Sequence, residues 1–241
     1  MRKNDVFELL AHAKSDIKEI AKEYHSSLKA KNIQPKLQID IKNLMENLRS
    51  TLDYTAHDIY DLLIMSHRSS LGKKQIDKIY FPYGKDITDF KSMLGNYLPE
   101  LDVINPDVYS LVESLQPHKS DSPWLFNLCN LVNQNKHDSI TPQTRVETKR
   151  FEVGLRGLNK SPVISAPAGS IKAPPGSIRI GNVPVNIDPN TGIPIPTRDL
   201  DVKVTTWISF KFSGTQISVL PFLNKSVSEI EKYVTELYRI L

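Results

Sequence analysis

Two stretches of the chain carry the side chains that could do chemistry, and both have a helical spacing. Arg49, Asp53 and His57 follow one another at steps of four residues, which places them on one edge of a helix, each within reach of the next. A guanidinium beside a carboxylate and an imidazole could hold an anion or move a proton. The same spacing is typical of a salt-bridged flank on a packed helix, and that structural role is the more common one.

The second stretch, LVNQNKHDSI, ends an apolar helical pattern. Asn133 and His137 are four residues apart, with Lys136 beside them. The amide can donate or accept a hydrogen bond, the ammonium supplies a positive charge, and the imidazole can exchange a proton near neutral pH. This set could bind a phosphate. The alternative is a polar helix end without a chemical role.

Several other kinds of site have no signature in the sequence. It contains no phosphate-binding glycine loop, no GxSxG elbow and no HExxH pair, so we expect neither a metal nor a cofactor. The single cysteine, Cys129, allows no disulfide within the chain and favours a reducing compartment. No apolar run approaches the roughly 20 residues of a membrane span. We therefore expect a cytoplasmic protein that does not enter the membrane.

The charge of the chain is unevenly divided. Residues 1–144 are close to neutral, and the net charge of +4 comes from residues 145–241. The basic residues of that second part are spread over predicted strands and loops rather than clustered in a stripe. This distribution is more typical of a solvated sheet face than of a nucleic-acid interface.

The first part of the chain is predicted to be a helical bundle. Apolar residues recur at three- and four-residue steps across 4–30 and 38–66, which predicts two long helices packed as an antiparallel pair. A loop with a short extended piece at Ile79–Phe81 follows. Three shorter helices are predicted at 86–96, 105–116 and 122–136, the second with Asn105 as N-cap and Pro106 at its first position.

After Pro142 the apolar period changes to two, which indicates strands. Strands are predicted at Phe151–Leu155 and Val202–Phe212, the latter forming a hairpin with ISVLPFL. Between them the Pro/Gly-rich region 159–198 should contain only short edge strands, at SIRIG and VPVNI. A last helix should start at a capping box formed by Ser226 and Glu229, and should pack on the sheet or on the bundle. The sequence thus predicts an α+β protein with a helical bundle at 1–144 and, at 145–241, a β-rich part that ends in this helix.

Three segments carry a resemblance to a known group: NLRSTLD at 47–53, LQPH at 115–118 and LVNQNKH at 131–137. Their order, followed by a β-rich tail and a helix, resembles uncharacterised bacterial proteins built on a HEPN-like antiparallel helical bundle. The resemblance covers residues 39–140 clearly and the tail in outline. Many HEPN proteins are metal-independent ribonucleases of toxin or defence systems that act as dimers. The resemblance therefore implies RNA as a partner and a homodimer.

The catalytic pair of HEPN ribonucleases is an arginine and a histidine close together in the chain, and this sequence departs from that pattern. Arg49 and His57 are too far apart, and Asn133 stands where an arginine is expected before His137. The resemblance and the chemistry together suggest His137 as general acid or base on a ribose 2′-hydroxyl. Arg49 or Lys136 would steady the phosphorane, and Asn133 would orient the reacting group.

The alternative is an inactive bundle that binds a partner protein or a small ligand. Arg49, Asp53, Asn133 and His137 would then form an internal polar network that locks the helices together. The two hypotheses differ in what they expect of the structure. A ribonuclease should expose His137 beside a cation, whereas a structural network should bury its side chains with their hydrogen bonds satisfied.

Overall fold

A computed structural model describes residues 1–30, 33–120, 122–137, 142–157 and 163–241, without the side chains of Lys136 and His137. The protein is a mixture of helix and sheet, 56% helical and 16% strand, with a small antiparallel sheet and a helix at its C-terminal end. Sequence periodicity predicted this mixture, and the excess of helix reflects the long amphipathic segments in the first half of the chain.

The elements are numbered here in chain order. The helices are α1 Lys3–Ala30, α2 Pro35–Ile59, a π-helical turn Tyr60–Ile64, α3 Met65–Ser70, α4 Ile87–Tyr97, α5 Leu101–Ile104, α6 Pro106–Ser114, α7 Pro117–Ser120, α8 Trp124–His137 and α9 Val219–Ile240. The strands are β1 Gln143–Leu155, β2 Ile164–Pro167, β3 Arg179–Ile180, β4 Val183–Pro184 and β5 Leu200–Phe212.

The two long helices α1 and α2 pack against each other as an antiparallel pair, as predicted. Lys36, at the start of α2, lies 2.6 Å from Glu23 near the end of α1, while Arg2, just before α1, bonds to Asp58 near the end of α2. Pro35 occupies the first turn of α2, where its missing N–H costs nothing. The helical path continues through the π-helical turn and α3 to Ser70, a little beyond the predicted end.

Two of the shorter helices, α4 and α6, begin at side chains that cap them. Asn105 accepts a hydrogen bond from the Val108 N–H at 3.0 Å, with Pro106 next to it, so the predicted cap is confirmed. Asp86 caps α4 in the same manner through the Thr88 and Asp89 N–H groups. The Asp86 cap fixes where the chain leaves the irregular segment before α4.

The start of the last helix was predicted wrongly. α9 begins at Val219, so the residues ISVLPFL run into a helix instead of forming a strand, and the hairpin is reduced to one bridge between Lys211 and Ser218. Ser226 is not a cap: it is buried within the helix, and its hydroxyl donates to the Phe222 carbonyl. An apolar run containing Pro221 fits a strand as well as a first helical turn, and packing against the bundle decided between them.

The main sheet has the strand order β2, β1, β5. β1 pairs antiparallel with β2 from Arg150 opposite Pro167 to Val153 opposite Ile164. β3 and β4 form a separate two-stranded ladder, so the predicted strands in SIRIG and VPVNI shrink to two residues each. The extended piece predicted at Ile79–Phe81 has no strand partner among the described residues.

The chain divides into two compact units, each with its own core. The helical unit comprises residues 1–144 and 211–241, and the β-rich unit comprises residues 145–210. α9 belongs to the helical unit because its apolar face packs against α1, α2, α6 and α8. Of the two predicted partners of this helix, the sheet and the bundle, it is the bundle that it contacts. The sequence-based division also ends the bundle at 144 but groups the last helix with the β-rich part. The β-rich unit is built on Phe151, Val153, Ile180, Val185 and Leu200.

Candidate functional site

Arg49 and Asp53 form a two-point ion pair on one turn of α2. The Arg49 Nε donates to Asp53 Oδ2 at 3.1 Å, and Nη2 lies 3.0 Å from Oδ1. Only 11% of the Arg49 side chain and 20% of the Asp53 side chain are exposed. A guanidinium and a carboxylate that meet through two parallel bonds are held in a fixed orientation, which a single-point contact would not provide.

The remaining faces of the Arg49 guanidinium are also covered. Nη1 donates to the Cys129 Sγ of α8 at 2.7 Å, and Cζ lies 4.9 Å from the centre of the Tyr83 ring. Cys129 is buried, and this burial raises the pKa of its thiol to about 11 against the smaller lowering effect of Arg49. The thiol is therefore neutral at physiological pH, and Asp53 is the anion that balances Arg49.

The three segments that carry the HEPN-like resemblance meet at one place, the connecting segment Tyr80–Gly84. From the first segment, Asp53 Oδ1 accepts a bond from the Phe81 N–H at 2.8 Å. From the second, Gln116 Nε2 donates to the Pro82 carbonyl at 3.1 Å, while its Oε1 accepts from the Gly84 N–H at 3.2 Å. From the third, Asn133 Nδ2 donates to the Tyr83 hydroxyl at 3.0 Å. We call Arg49, Asp53, Gln116 and Asn133 the polar clamp.

The connecting segment needs such a clamp because it is buried but has no regular structure. Phe81 is fully buried, and Pro82 and Gly84 are also buried. Backbone N–H and C=O groups in that position must find partners other than a helix or a ladder. Glycine is the only residue type that fits at position 84, since a Cβ there would lie 2.3 Å from the Phe90 backbone nitrogen.

The structure brings three of the predicted site residues together around Tyr83: Arg49 over its ring, Asp53 beside Arg49, and Asn133 at its hydroxyl. His57 is half-buried one turn further along α2 and makes none of the bonds of the polar clamp. Lys136 and His137 lie in the last turn of α8, but their side chains are outside the described residues. The predicted approach of His137 to Arg49 therefore stays a prediction.

Gln116 and Tyr83 complete the cluster and were not predicted as site residues from the sequence. Gln116 is fully buried and adds a third bond to the Val112 carbonyl at 3.3 Å. A glutamine has no periodic signature of its own, although its position directly before Pro117, at the end of a helix, marked a place where backbone groups need partners.

A second buried polar group, Asp58, ties the helical unit together. Both of its carboxylate oxygens accept from the Arg2 backbone N–H at 2.8 Å, and Oδ2 accepts from the Tyr238 hydroxyl at 2.7 Å. Burial and this bond raise the pKa of Tyr238 well above its usual range. The arrangement joins the start of α1, the end of α2 and the end of α9, and it is closed to solvent at Asp58.

A groove of about 480 Å³ runs between α1 and α2 in the helical unit. Ile20 lies among its lining residues, and most of the charged side chains around it are acidic. They are Asp16, Glu19, Asp40 and Glu46, with Lys36 and His12 as the basic members. Each carboxylate is bonded to a basic side chain: Asp16 to His12, Glu19 to Lys22, Asp40 to Lys36 and Glu46 to Lys42. The groove is therefore only weakly acidic, which favours cationic groups over phosphates.

Neither a metal site nor a known relative adds to this geometry. The residues that the structure describes contain no group of three His, Cys, Asp or Glu side chains placed to hold a metal ion, and no helix among them has the length and hydrophobicity to cross a membrane. Comparisons with protein-family models, curated proteins and solved structures found no match to this chain.

Proposed function

We propose that the protein is a catalytically inactive HEPN-like bundle that acts by binding a partner protein. The HEPN-like assignment is supported by the order of the helices and by the convergence of the three resembling segments on the connecting segment Tyr80–Gly84. Two of these segments, 47–53 and 131–137, contain the polar side chains that were expected to do chemistry.

The observation that carries the proposal is the enclosure of Arg49. A cation that stabilises a phosphorane must present free N–H donors to the reacting phosphate. The donors of Arg49 are directed to Asp53, to Cys129 and, at 3.5 Å, to the Phe81 carbonyl, and Tyr83 covers one face. Recruiting Arg49 for catalysis would leave Asp53 as a largely buried carboxylate without its counter-ion, which is strongly unfavourable.

The α1–α2 groove supports a protein partner rather than RNA. Four carboxylates line it. Each is bonded to a lysine or a histidine, so the groove is only weakly acidic, and this weak charge favours a basic segment of another protein over a nucleic-acid backbone. The near-zero net charge of residues 1–144 agrees with this preference, because a nucleic-acid-binding domain is usually basic.

One observation favours a second candidate function, metal-independent RNA cleavage. Asn133 is exposed, and His137 follows it by one helical turn on α8. In that case His137 would act on the ribose 2′-hydroxyl, Lys136 rather than the enclosed Arg49 would steady the phosphorane, and Asn133 would orient the phosphate.

An RNA-cleavage assay in EDTA separates the two functions. We expect no cleavage of single-stranded RNA by the wild-type protein or by His137→Ala. Cleavage by the wild type that is lost in His137→Ala but kept in His57→Ala would overturn the proposal and establish the second candidate. Cleavage that persists in both variants would indicate a contaminating nuclease, which a mock purification without the protein identifies.

A binding assay tests the partner chemistry directly. We expect a fluorescent arginine-rich peptide to bind and an oligouridine RNA of the same length not to bind, with peptide affinity falling as salt is raised. Glu19→Lys combined with Glu46→Lys should abolish peptide binding. Glu229→Lys combined with Glu236→Lys, on α9 and outside the groove, changes the net charge equally and should retain it. Peptide binding that survives the two groove substitutions would contradict the groove as the docking surface, and binding of the RNA by the wild type would contradict the preference for a protein partner.

A further inference from the structure

β5 is an edge strand. Its outer side bonds to the following segment only at its C-terminal end, where the Phe212 N–H donates to the Ile217 carbonyl at 3.1 Å, and the stretch Val202–Ile208 has no strand beside it in the described part of the chain. In the order β2, β1, β5 it is hydrogen-bonded to β1 on one side only. Natural proteins usually protect such an edge by keeping it short, charged or covered, since unpaired N–H and C=O groups are a template for another strand. β5 is 13 residues long.

The bonds at the two ends of the β1–β5 pair show which backbone groups face outward. The Arg156 N–H donates to the Asp199 carbonyl, and the Ser213 N–H donates to the Pro142 carbonyl, both at 2.9 Å. The two bonds belong to one continuous register, because moving 14 residues back along β1 moves 14 residues forward along β5. The backbone N–H and C=O groups of the odd-numbered residues of β5 therefore point toward β1. The N–H and C=O groups of the even-numbered residues therefore point away from the sheet. Among them the Phe212 N–H is bonded to Ile217 and the Leu200 carbonyl to the Arg156 side chain. The stretch whose outward groups lie beside no other strand therefore contains Val202, Val204, Thr206 and Ile208.

The side chains at this edge are unusually apolar for an exposed strand. Trp207 is 51% exposed and Val204 is 43% exposed. Because side chains alternate along a strand, Trp207 lies on the face that also carries Lys203 and Thr205, while Val204 lies on the opposite face. Both faces of the edge thus offer an apolar side chain that nothing in the described ranges buries.

We propose that a second copy of the chain pairs antiparallel with this edge, strand β5 against strand β5, with Thr205 on the two-fold axis. The four outward-facing residues of the stretch Val202–Ile208 are symmetric about Thr205, so this register uses all four in both copies and avoids the end of β5 that is bonded to Ile217. An interface of this type is self-complementary, as two-fold symmetry requires, and it extends the sheet of one copy into that of the other.

The side chains are complementary in the same register. Lys203 of one copy lies opposite Trp207 of the other, and the symmetry repeats this cation–π contact. Val202 lies opposite Ile208 on the other face, and the two Thr205 side chains face each other as a Thr–Thr pair. No like charges are opposed. Asp201 meets Ser209 at each end.

A disulfide at the axis tests both the pairing and its register. Residues directly opposite in a non-hydrogen-bonded antiparallel pair have Cα atoms roughly 4.5 Å apart, which a disulfide can span. We expect Thr205→Cys to form a covalent dimer under mild oxidation. Ser209→Cys lies on the same face but far from its copy, and should stay monomeric on a denaturing gel, as should the wild type with its buried Cys129.

The mass of the protein in solution gives an independent readout. We expect the wild type to be a dimer by light scattering, and Trp207→Ala to weaken dimerisation roughly tenfold through the loss of two cation–π contacts. Thr206→Pro removes an outward donor without removing a bond to β1, and should give a monomer. A monomeric wild type, or equal cross-linking of Thr205→Cys and Ser209→Cys, would overturn the proposal. A dimer that Thr206→Pro leaves intact would do so too, because it would place the interface elsewhere.

Discussion

The helical unit and the β-rich unit hold their irregular backbone in different ways. In the helical unit, the connecting segment Tyr80–Gly84 is fastened by side chains of the polar clamp. In the β-rich unit, the Pro/Gly-rich loops close mainly on their own backbone: the Asp188 N–H donates to the Ile193 carbonyl at 2.9 Å, and the Ile195 N–H donates to the Asn186 carbonyl at 2.8 Å.

The two units are therefore sensitive to substitution at different kinds of position. A buried segment fastened by side chains depends on particular residues, because each lost partner leaves a backbone group unsatisfied and out of reach of water. Loops whose hydrogen bonds are made within their own backbone depend instead on the backbone dihedral angles that each residue can adopt. Gly192 shows this, since it has a φ of +64° and a Cβ there would lie 2.2 Å from the Gly169 nitrogen.

The largest effect is expected at Gly84. Gly84→Ala places a Cβ against the Phe90 backbone and Asp89, and should lower the free energy of unfolding of the helical unit by about 3 kcal/mol. Chemical denaturation followed by circular dichroism measures this. The matched control is Gly95→Ala, inside α4, where a Cβ meets nothing within 4 Å and should stabilise by about 0.5–1 kcal/mol. Similar effects at both glycines would show that the connecting segment adapts and is not clamped.

The two units can be compared directly by substituting one amide side chain in each, Gln116 in the helical unit and Asn186 in the β-rich unit. Gln116→Leu replaces the amide with an apolar group of similar size and leaves the Pro82 carbonyl and the Gly84 N–H buried without this partner. We therefore expect the free energy of unfolding to fall by about 2–3 kcal/mol. Asn186→Ala removes a bond to the Gly176 N–H in the β-rich unit. That amide is half-buried and water can replace it, so we expect less than about 1 kcal/mol. A larger loss at Asn186 than at Gln116 would reverse the comparison.

The smallest effect concerns Cys129 and pH. Burial raises the pKa of its thiol from 9.0 to about 11, so above pH 9 the unfolded chain loses the proton while the folded chain keeps it. Stability is therefore complete below pH 9 and is lost as pH rises toward 11. Between pH 8 and 10 the wild type should lose about 1 kcal/mol more than Cys129→Ala. The comparison uses the slope with pH, since the variant also has a lower stability at every pH. If the stability of the wild type and of Cys129→Ala fell equally with pH, the thiol would have an ordinary pKa in the folded protein, and the contact between Cys129 and Arg49 would be open to solvent.

Local patterns were sufficient for most of the helical bundle. The apolar stripes of α1 and α2 and the cap at Asn105 follow from spacing and from backbone chemistry within one turn, so the sequence predicts them without knowledge of the fold. The start of α9 at Val219 was missed, because ISVLPFL suits a strand or a helix equally, and only the surface of the bundle distinguishes them.

The candidate site was predicted in part for a related reason. Arg49 with Asp53, and Asn133 with His137, are neighbours along single helices, and spacing alone finds such pairs. Gln116, Tyr83 and Cys129 reach Arg49 and its surroundings from other parts of the chain. Contacts between distant segments leave no periodic trace in a sequence.

The amphipathic helices, the change to the period of strands and the distribution of charge all follow from the order of the residues. The inward orientation of Arg49, and the fastening of Tyr80–Gly84 by three separate segments, became known only from the packed fold. Periodicity records which side of an element is apolar, whereas the partner of a buried polar group depends on which elements pack together.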